Sequence, residues 1–500
     1  MSISFNNIPD TIRTPGTYAE VDPSRALKGL VSNPHKVIVL GQKLSGGAGV
    51  INTLYAITSE IVADGYFGPG SILSRMCRTF KKNNKNTELY AIALDSVAGT
   101  IASGAIHFSV ALSHNAGVVS TEGEYVNLMI NGTEIRQALT SGWSVGQVNS
   151  AFKAAINAYS TLPVIASTTA ASVLILLARN SGTLGNYIDI RFNHYDGQSM
   201  PTCFDNSVTL SAMEGGATDP LVSDAWAVIA NEQFNYVVNP YIDSANLTSL
   251  ENELADRFKP LEDKSGIGFT AVRGALASCT VLGNSRNSPH NCIIGAYSSP
   301  NCPEEWAAAL GAIASQYLNN DPARPIQFLP LAGILAPKMV DRFTREERDT
   351  LLYDGIATWI CDVSGNVMVE RCITTYQKNA LGTLDPTYLD VETMATLAEI
   401  RYQYKTRMQN RFMIPRYKLA DDSFPVQAGT YVVTPKTIKQ EIIALFSLLQ
   451  DDGLIENLED FKTNLIVERN AADRTRVDVL LPPDLVNQFR ILAGLIQFIL

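Results

Sequence analysis

The sequence predicts a multidomain chain of mixed class: an α/β core, an α+β module inserted into it, an α+β C-terminal domain, and extended arms at both ends. Three observations carry this reading. Short apolar runs of strand length alternate with amphipathic helical stretches on either side of residues 104–216, charge becomes sparse inside that interval, and both ends are extended without an adjacent local partner. Five hundred residues, 46% hydrophobic and 18% charged, supply material for several cores, about two to four domains by length. The boundaries read as an arm over 1–28, a core over 29–103 and 217–385, the module over 104–216, a C-terminal domain over 386–484 and a second arm over 485–500.

The opening stretch is punctuated by Pro9, Pro15-Gly16 and Pro23, which leaves Thr17, Tyr18, Ala19, Glu20 and Val21 as a short strand with nothing nearby to pair with. From Lys36 the pattern becomes α/β. Val37–Leu40 reads as a buried strand, 71–82 as a helix and 89–94 as a strand; 219–232 reads as helix, 234–238 as strand, 244–258 as helix and 269–272 as strand. Cys292–Gly295 and helices over 303–318 and 345–353 complete a mostly parallel sheet covered by helices.

Within the module, Tyr125–Ile130 runs into Asn131-Gly132, a type I′ hairpin signal, and an amphipathic helix comes next over 145–159. Val173–Leu177 and Tyr187–Phe192 read as a further strand pair joined across Asn180-Ser181-Gly182. Beyond Pro386 a long helix covers 391–412, and Thr434-Pro435 is a cap with proline at the first helical position, opening a helix that ends near Gly453. Residues 464–481 read as a hairpin with Leu465, Val467, Val477, Val479 and Leu481 on one face.

Pro482-Pro483 favours an extended exit after that hairpin. Residues 489–500, FRILAGLIQFIL, are almost wholly apolar where order and hydrophobicity ordinarily fade. Phe489, Ile491, Leu492, Leu495, Ile496 and Phe498 would each gain roughly 1.5–3 kcal/mol on burial, against about 1–2 kcal/mol for ordering each residue. Such a segment needs a preformed groove or sheet edge, either in its own domain or in a partner. A membrane anchor needs about 20 apolar residues, and this run is shorter and interrupted by Gln488, Arg490 and Gln497.

The net charge of −10 and the lack of a basic run argue against nucleic acid as a partner. The start, MSISFNNIPD, has no charged n-region or apolar h-region, so synthesis and assembly are expected in the cytoplasm, without membrane insertion. Seven scattered cysteines without a CxxC pair suit buried thiols in a reducing compartment. A search for chemistry ends without a site. The strand-to-glycine stretch VIVLGQKLSGGAG fits neither GxxxxGK[ST] nor GxGxxG, and the five histidines fall in no metal-ligand spacing. His290 and Cys292 share a strand face but lack an orienting acid, and the acidic doublets Glu346-Glu347, Asp421-Asp422 and Asp451-Asp452 read as solvated charge. No catalytic residue, cofactor or metal is expected, and the chain reads as a non-enzyme.

Long strings in the C-terminal region closely resemble contractile-tail sheath proteins of Mu-like phages: Gly453–Asn457 (GLIEN), Phe461-Lys462, Leu465–Asn470 (LIVERN) and 477–488 (VDVLLPPDLVNQ). Further strings resemble the same family upstream: Pro15–Tyr18 (PGTY), 283–290 (GNSRNSPH), 353–358 (YDGIAT), 373–377 (ITTYQ) and 418–422 (KLADD). The resemblance covers essentially the whole chain and is weakest in the module.

That resemblance implies a structural protein of the virion tail, stacked helically as hexameric rings around a tail tube protein and meeting baseplate and tail terminator proteins. It also implies that both arms add strands to a sheet in neighbouring C-terminal domains. Carried onto this chain, the donated strands are Thr17–Val21 and about Phe489–Phe498, the acceptor is the 464–481 hairpin, and Pro482 and Pro483 are the hinge. Contraction would then need no nucleotide, and the helices 391–412 and 436–450 are expected to hold the tube weakly. The sheath of a headless, phage-derived contractile particle is the alternative within this class; an α/β nucleotide-binding enzyme using residues 37–49, or an exported adhesin, lies further off.

Overall fold

The computed structural model describes residues 14–17, 29–95, 99–109, 118–119, 123–170, 173–204, 207–425 and 430–499. They divide into two compact units: Pro34–Ala398 with Asn487–Leu500, and Glu399–Val486 with the described part of Met1–Asn33. The division falls inside the helix Val391–Met408. The class is mixed α/β and α+β, in more than one unit.

The larger unit is organised on a nine-stranded sheet in the order Pro330–Leu335, Asn366–Arg371, Ile356–Cys361, Asn291–Gly295, Ile267–Val272, Tyr236–Val238, Lys36–Gln42, Glu88–Leu94, Leu54–Ala56. The strands from Ile356–Cys361 to Glu88–Leu94 run parallel, and the outer ones pair antiparallel. Val37, Ile38, Val39 and Leu40 are fully buried, as an uninterrupted apolar run in a doubly covered parallel sheet must be. On neighbouring positions of one strand, Ile293 joins a cluster with Leu247, Cys279 and Leu351, while Cys292 and Ile294 join the larger core with Trp306 and Leu310. That alternation places helices on both faces.

Two of the strings that carried the resemblance meet here. In the loop after helix Leu276–Asn284, Asn287 Oδ1 accepts the amides of Gln377 (2.8 Å) and Lys378 (2.9 Å), and the Ser288 amide donates to Thr375 Oγ1 (3.0 Å). Arg286 reaches Thr248 and Ser244 on the helix Ser244–Phe258. The string is therefore a buckle between two loops and a helix. Gly283 lets the buckle close, since a Cβ there would stand 2.0 Å from the Asp354 carbonyl oxygen. Gly283→Ala should cost about 1–3 kcal/mol through overpacking, read as a lowered Tm of the purified subunit; an unchanged Tm would show that the backbone shifts freely.

Residues of the expected module build a four-stranded sheet, Val208–Glu214, Ile101–Phe108, Val173–Ser181, Val164–Ala170, and a three-stranded one, Thr133–Ala138, Tyr125–Ile130, Ile190–Phe192. Their core includes Phe108, Phe152, Phe204, Val148 and Leu128. The Asn131-Gly132 turn has both residues at positive φ, 47° and 71°, as type I′ requires. The helix Val145–Ala158 opens on a Ser144/Gln147 capping box.

Two expected elements differ. Val173–Leu177 and Tyr187–Phe192 do not pair: the first belongs to the four-stranded sheet and Ile190–Phe192 to the other. Between them Asp219 Oδ1 accepts the Thr183 amide (2.7 Å) after Gly182 at φ 110°, which opens a 3₁₀ turn and redirects the chain. Residues 219–232 form a short 3₁₀ turn, Val222–Ala225, succeeded by further turns. Asn246 holds that turn, taking the Val222 amide (2.8 Å) and donating to the Pro220 carbonyl (2.9 Å).

A charged cluster is buried in this unit. Arg75, on helix Ile72–Asn83, reaches Glu304 and Glu305 at the start of helix Pro303–Asn320. Glu305 also accepts from Asn131 (2.7 Å) and Asn301 (2.9 Å), and Asn131 takes the Cys302 amide (2.7 Å). The hairpin turn is thus tied into the α/β core by a polar network with almost no access to water.

In the smaller unit, helix Pro435–Asp451 begins with Thr434 accepting from the Thr437 amide and Pro435 in the first turn, as expected. Phe446 and Phe461 stack with ring centroids 4.0 Å apart, and Leu449, Leu454 and Leu465 are buried in the same unit. Its strands occur only in two-stranded ribbons among the described residues: Lys418–Leu419 with Val432–Val433, Ile455–Glu456 with Asp484–Leu485, and Ile466–Arg469 with Val477–Leu480.

Candidate assembly surface

The hairpin predicted over 464–481 pairs Ile466 with Leu480, Val467 with Val479, Glu468 with Asp478 and Arg469 with Val477. Leu465 is buried, while Val467, Val477, Val479 and Leu481 are half-buried, the face toward helix Pro435–Asp451. Lys439 Nζ donates to the Leu465 carbonyl (2.7 Å) and fixes the hairpin's root. At the far end Asn470 Oδ1 accepts the Ala472 and Asp473 amides, closing the turn. Asn470 and Arg476 hold the Asp478 carboxyl below the usual carboxylate range, so it stays ionised. The opposite face carries a pair that the alternation argument passed over: Ile466 and Leu480, opposite one another, are 51% and 57% exposed. Both outer strand edges lack a ladder partner among the described residues.

Pro482 and Pro483 are half-buried and lead into the two-residue strand Asp484–Leu485, whose Leu485 pairs with Ile455. From Val486 to Ile499 there is no regular secondary structure. Phe489, Ile491, Leu492, Leu495, Ile496, Phe498 and Ile499 are 69% to 100% exposed, so among the described residues little covers the side chains of this apolar segment. Of the expected N-terminal strand, Thr17 is exposed without regular structure, and Tyr18, Ala19, Glu20 and Val21 lie outside the described residues.

One residue of the arm behaves differently. The Arg490 side chain is 12% exposed, with Nη2 at 2.9 Å from Glu392 and 3.1 Å from Asp390. Glu392 has no solvent exposure; its burial pushes the carboxyl's pKa up, and Arg490 pulls it back. Sequence reasoning treated Arg490 only as an interruption of an apolar run. The usable signal was that a lone cation in such a run demands an anion, although nothing local said which.

The groups weighed for other chemistry are engaged within the protein. In the 37–49 loop the amides of Leu44, Gly47, Ala48 and Gly49 donate to Phe67, Leu44, Gly65 and Tyr66 carbonyls, so they are unavailable to a phosphate. Gly47 is needed for close approach, because a Cβ would sit 2.4 Å from the Tyr66 oxygen. His290 packs on Phe258, with ring centroids 5.0 Å apart, and Cys292 lies 3.5 Å from Cys372. Burial raises the thiol pKa of Cys77, Cys279 and Cys302, as inert structural thiols require.

Comparison with known proteins decides the family. Residues 215–375 match the phage tail sheath protein central domain and 383–499 the phage tail sheath C-terminal domain. The Mu-like prophage FluMu tail sheath protein of Haemophilus influenzae is 38% identical over 501 residues, covering 100% of both chains. This chain belongs to the phage tail sheath family. Among solved structures it is similar to the sheath tail protein of Desulfitobacterium hafniense (13% identity, 95% of this chain and 97% of that one, TM-score 0.49). It is likewise similar to the sheath tail protein of Listeria innocua (13% identity, 91% and 93%, TM-score 0.49). In this sheath family member the C-terminal family match spans both the open-edged hairpin and the uncovered arm.

Proposed function

We propose that this chain is the structural subunit of a contractile tail sheath that polymerises as stacked hexameric rings around a tail tube by exchanging terminal strands. The observation that carries this reading is the apolar segment to Ile499, exposed among the described residues, in a chain that also holds a two-stranded hairpin whose edges pair with no other described strand. Isolated two-stranded ribbons are marginal in water, and three or more strands with an apolar face are needed for independent stability. A donated strand supplies backbone hydrogen bonds of about 0.5–1.5 kcal/mol each and buries Ile466 or Leu480 together with its own side chains. In this reading the hairpin accepts the C-terminal arm of one neighbour on one edge and Thr17–Val21 of another on the other.

Pro482-Pro483 and Pro23–Leu27 act as the flexible stretches, so the bodies rotate while the ties hold. Contraction exchanges poorer body-to-body contacts for better ones, released at a baseplate, with no nucleotide. Helices 391–412 and 436–450 hold the tube, a terminator closes the far end, the 104–216 module is carried as an insertion of the core, and assembly precedes lysis in the host cytoplasm.

Negative-stain electron microscopy of the chain co-expressed with its tube protein tests this. Striated rods with a sixfold end view are expected, and charge reversals on helices 391–412 and 436–450 should release the tube. Monodisperse monomers under all conditions would contradict the reading.

A further inference from the structure

We infer that Arg490, the half-buried Asp390 and the buried Glu392 form a clasp that fixes the root of the C-terminal arm on its own subunit, making Arg490 the positioning residue for strand donation. The inference rests on the strand-exchange reading and specifies where the donated strand begins.

The arm has two halves of opposite character. Residues 491–499 are uncovered, but the three residues before them are tied down by a set of contacts to the larger unit. Arg490 Nη2 bridges Asp390 and Glu392, and its Nη1 lies 3.4 Å from Gln327 Oε1. Gln327 returns the contact by donating to the Phe489 carbonyl (3.3 Å), and Gln488 donates to the Ala323 carbonyl (3.4 Å). The receiving acids are themselves fixed: Asp390 by Arg371 (3.0 Å), and Glu392 by the Ile326 amide (2.6 Å).

The arrangement is one-sided in its consequences. Glu392 has no exposed surface, so without Arg490 its carboxylate would be buried against backbone amides alone, with no cation beside it. Arg490 therefore stays while the apolar residues beyond it are free to leave. The free length, 491–499, spans at most about 30 Å when extended, which limits donation to an immediately adjacent copy. A hinge at Pro482-Pro483 alone would leave a longer segment searching a larger volume, at a greater entropic cost of closure.

Trypsin provides the test, because Arg490-Ile491 is itself a cleavable bond. In the free full-length subunit the clasp should make release of the 491–500 peptide slow. Glu392→Gln should speed it roughly tenfold, and Gln327→Ala, which removes the side-chain hydrogen bonds to Arg490 and Phe489, should act in the same direction by less. Both variants should keep the wild-type melting profile within a few degrees and give fewer or irregular polymers with the tube protein. Equal peptide release in wild type and both variants would overturn the clasp. Faster release with normal polymers would overturn its positioning role. If a chain ending at Ala493 polymerised normally, strand donation itself would fail, whereas the trypsin comparison would still report separately on the clasp.

Discussion

A chain ending at Ala493 should fold with the stability of the full-length subunit and fail to polymerise. The truncation keeps the Asp484–Leu485 strand on Ile455–Glu456 and the Arg490 contacts, and the described residues it removes are exposed, so the folded subunit should lose little stability. Its assembled neighbour loses Leu495, Ile496, Phe498 and Ile499, about 6 kcal/mol or more of apolar burial. Each ~1.4 kcal/mol is a factor of ten in association, so even half of that sum surviving the cost of ordering raises the threshold for polymerisation more than ~100-fold. Sedimentation of the two chains with the tube protein measures this. Equal pelleting would show that body contacts alone drive assembly.

Arg75→Met should be the most damaging single substitution in the larger unit. It leaves Glu304 and Glu305 buried together without their cation, a change that costs about 3–5 kcal/mol and should lower Tm by roughly 5–15 °C. The sign of its pH dependence comes from the burial that raises the Glu304 pKa, which Arg75 opposes in the native chain. With Arg75 gone the folded value rises further above the unfolded one of about 4.3. A raised folded pKa gives stability that is present below the unfolded value and lost as pH climbs through the folded one. The deficit of the variant should therefore be smallest near pH 4.5 and grow toward neutrality. A deficit independent of pH would mean that the lost packing, not the stranded carboxylates, does the damage.

The sequence disclosed those parts of the molecule whose physics is local. The Asn131-Gly132 turn, the Thr434-Pro435 start and the 464–481 hairpin were legible because each rests on a few neighbouring residues with special backbone or capping chemistry. The apolar tail was legible because nothing in a chain's last residues makes eight large apolar side chains ordinary. The features that escaped depend on distant partners. Residues 219–232 have helix-forming composition, yet Asn246 takes the backbone groups that a helix would use. The spacing in the 37–49 loop already argued against a phosphate cradle, but that the end of helix Glu60–Phe67 takes its amides was not readable from the loop itself. Arg490 finds Glu392 across 98 residues, and no spacing rule reaches that far.

The central claim, that subunits are tied by donated strands, is tested most directly by a helical cryo-EM reconstruction of the extended sheath on its tube, with the chain traced from Leu481 to the C-terminus. The account predicts Arg490 on Asp390 and Glu392 of its own subunit and residues 491–499 hydrogen-bonded to an open edge of the 466–480 hairpin of an adjacent one. A C-terminal segment that folds back onto its own subunit, with the hairpin edges left open in the assembled sheath, would contradict it.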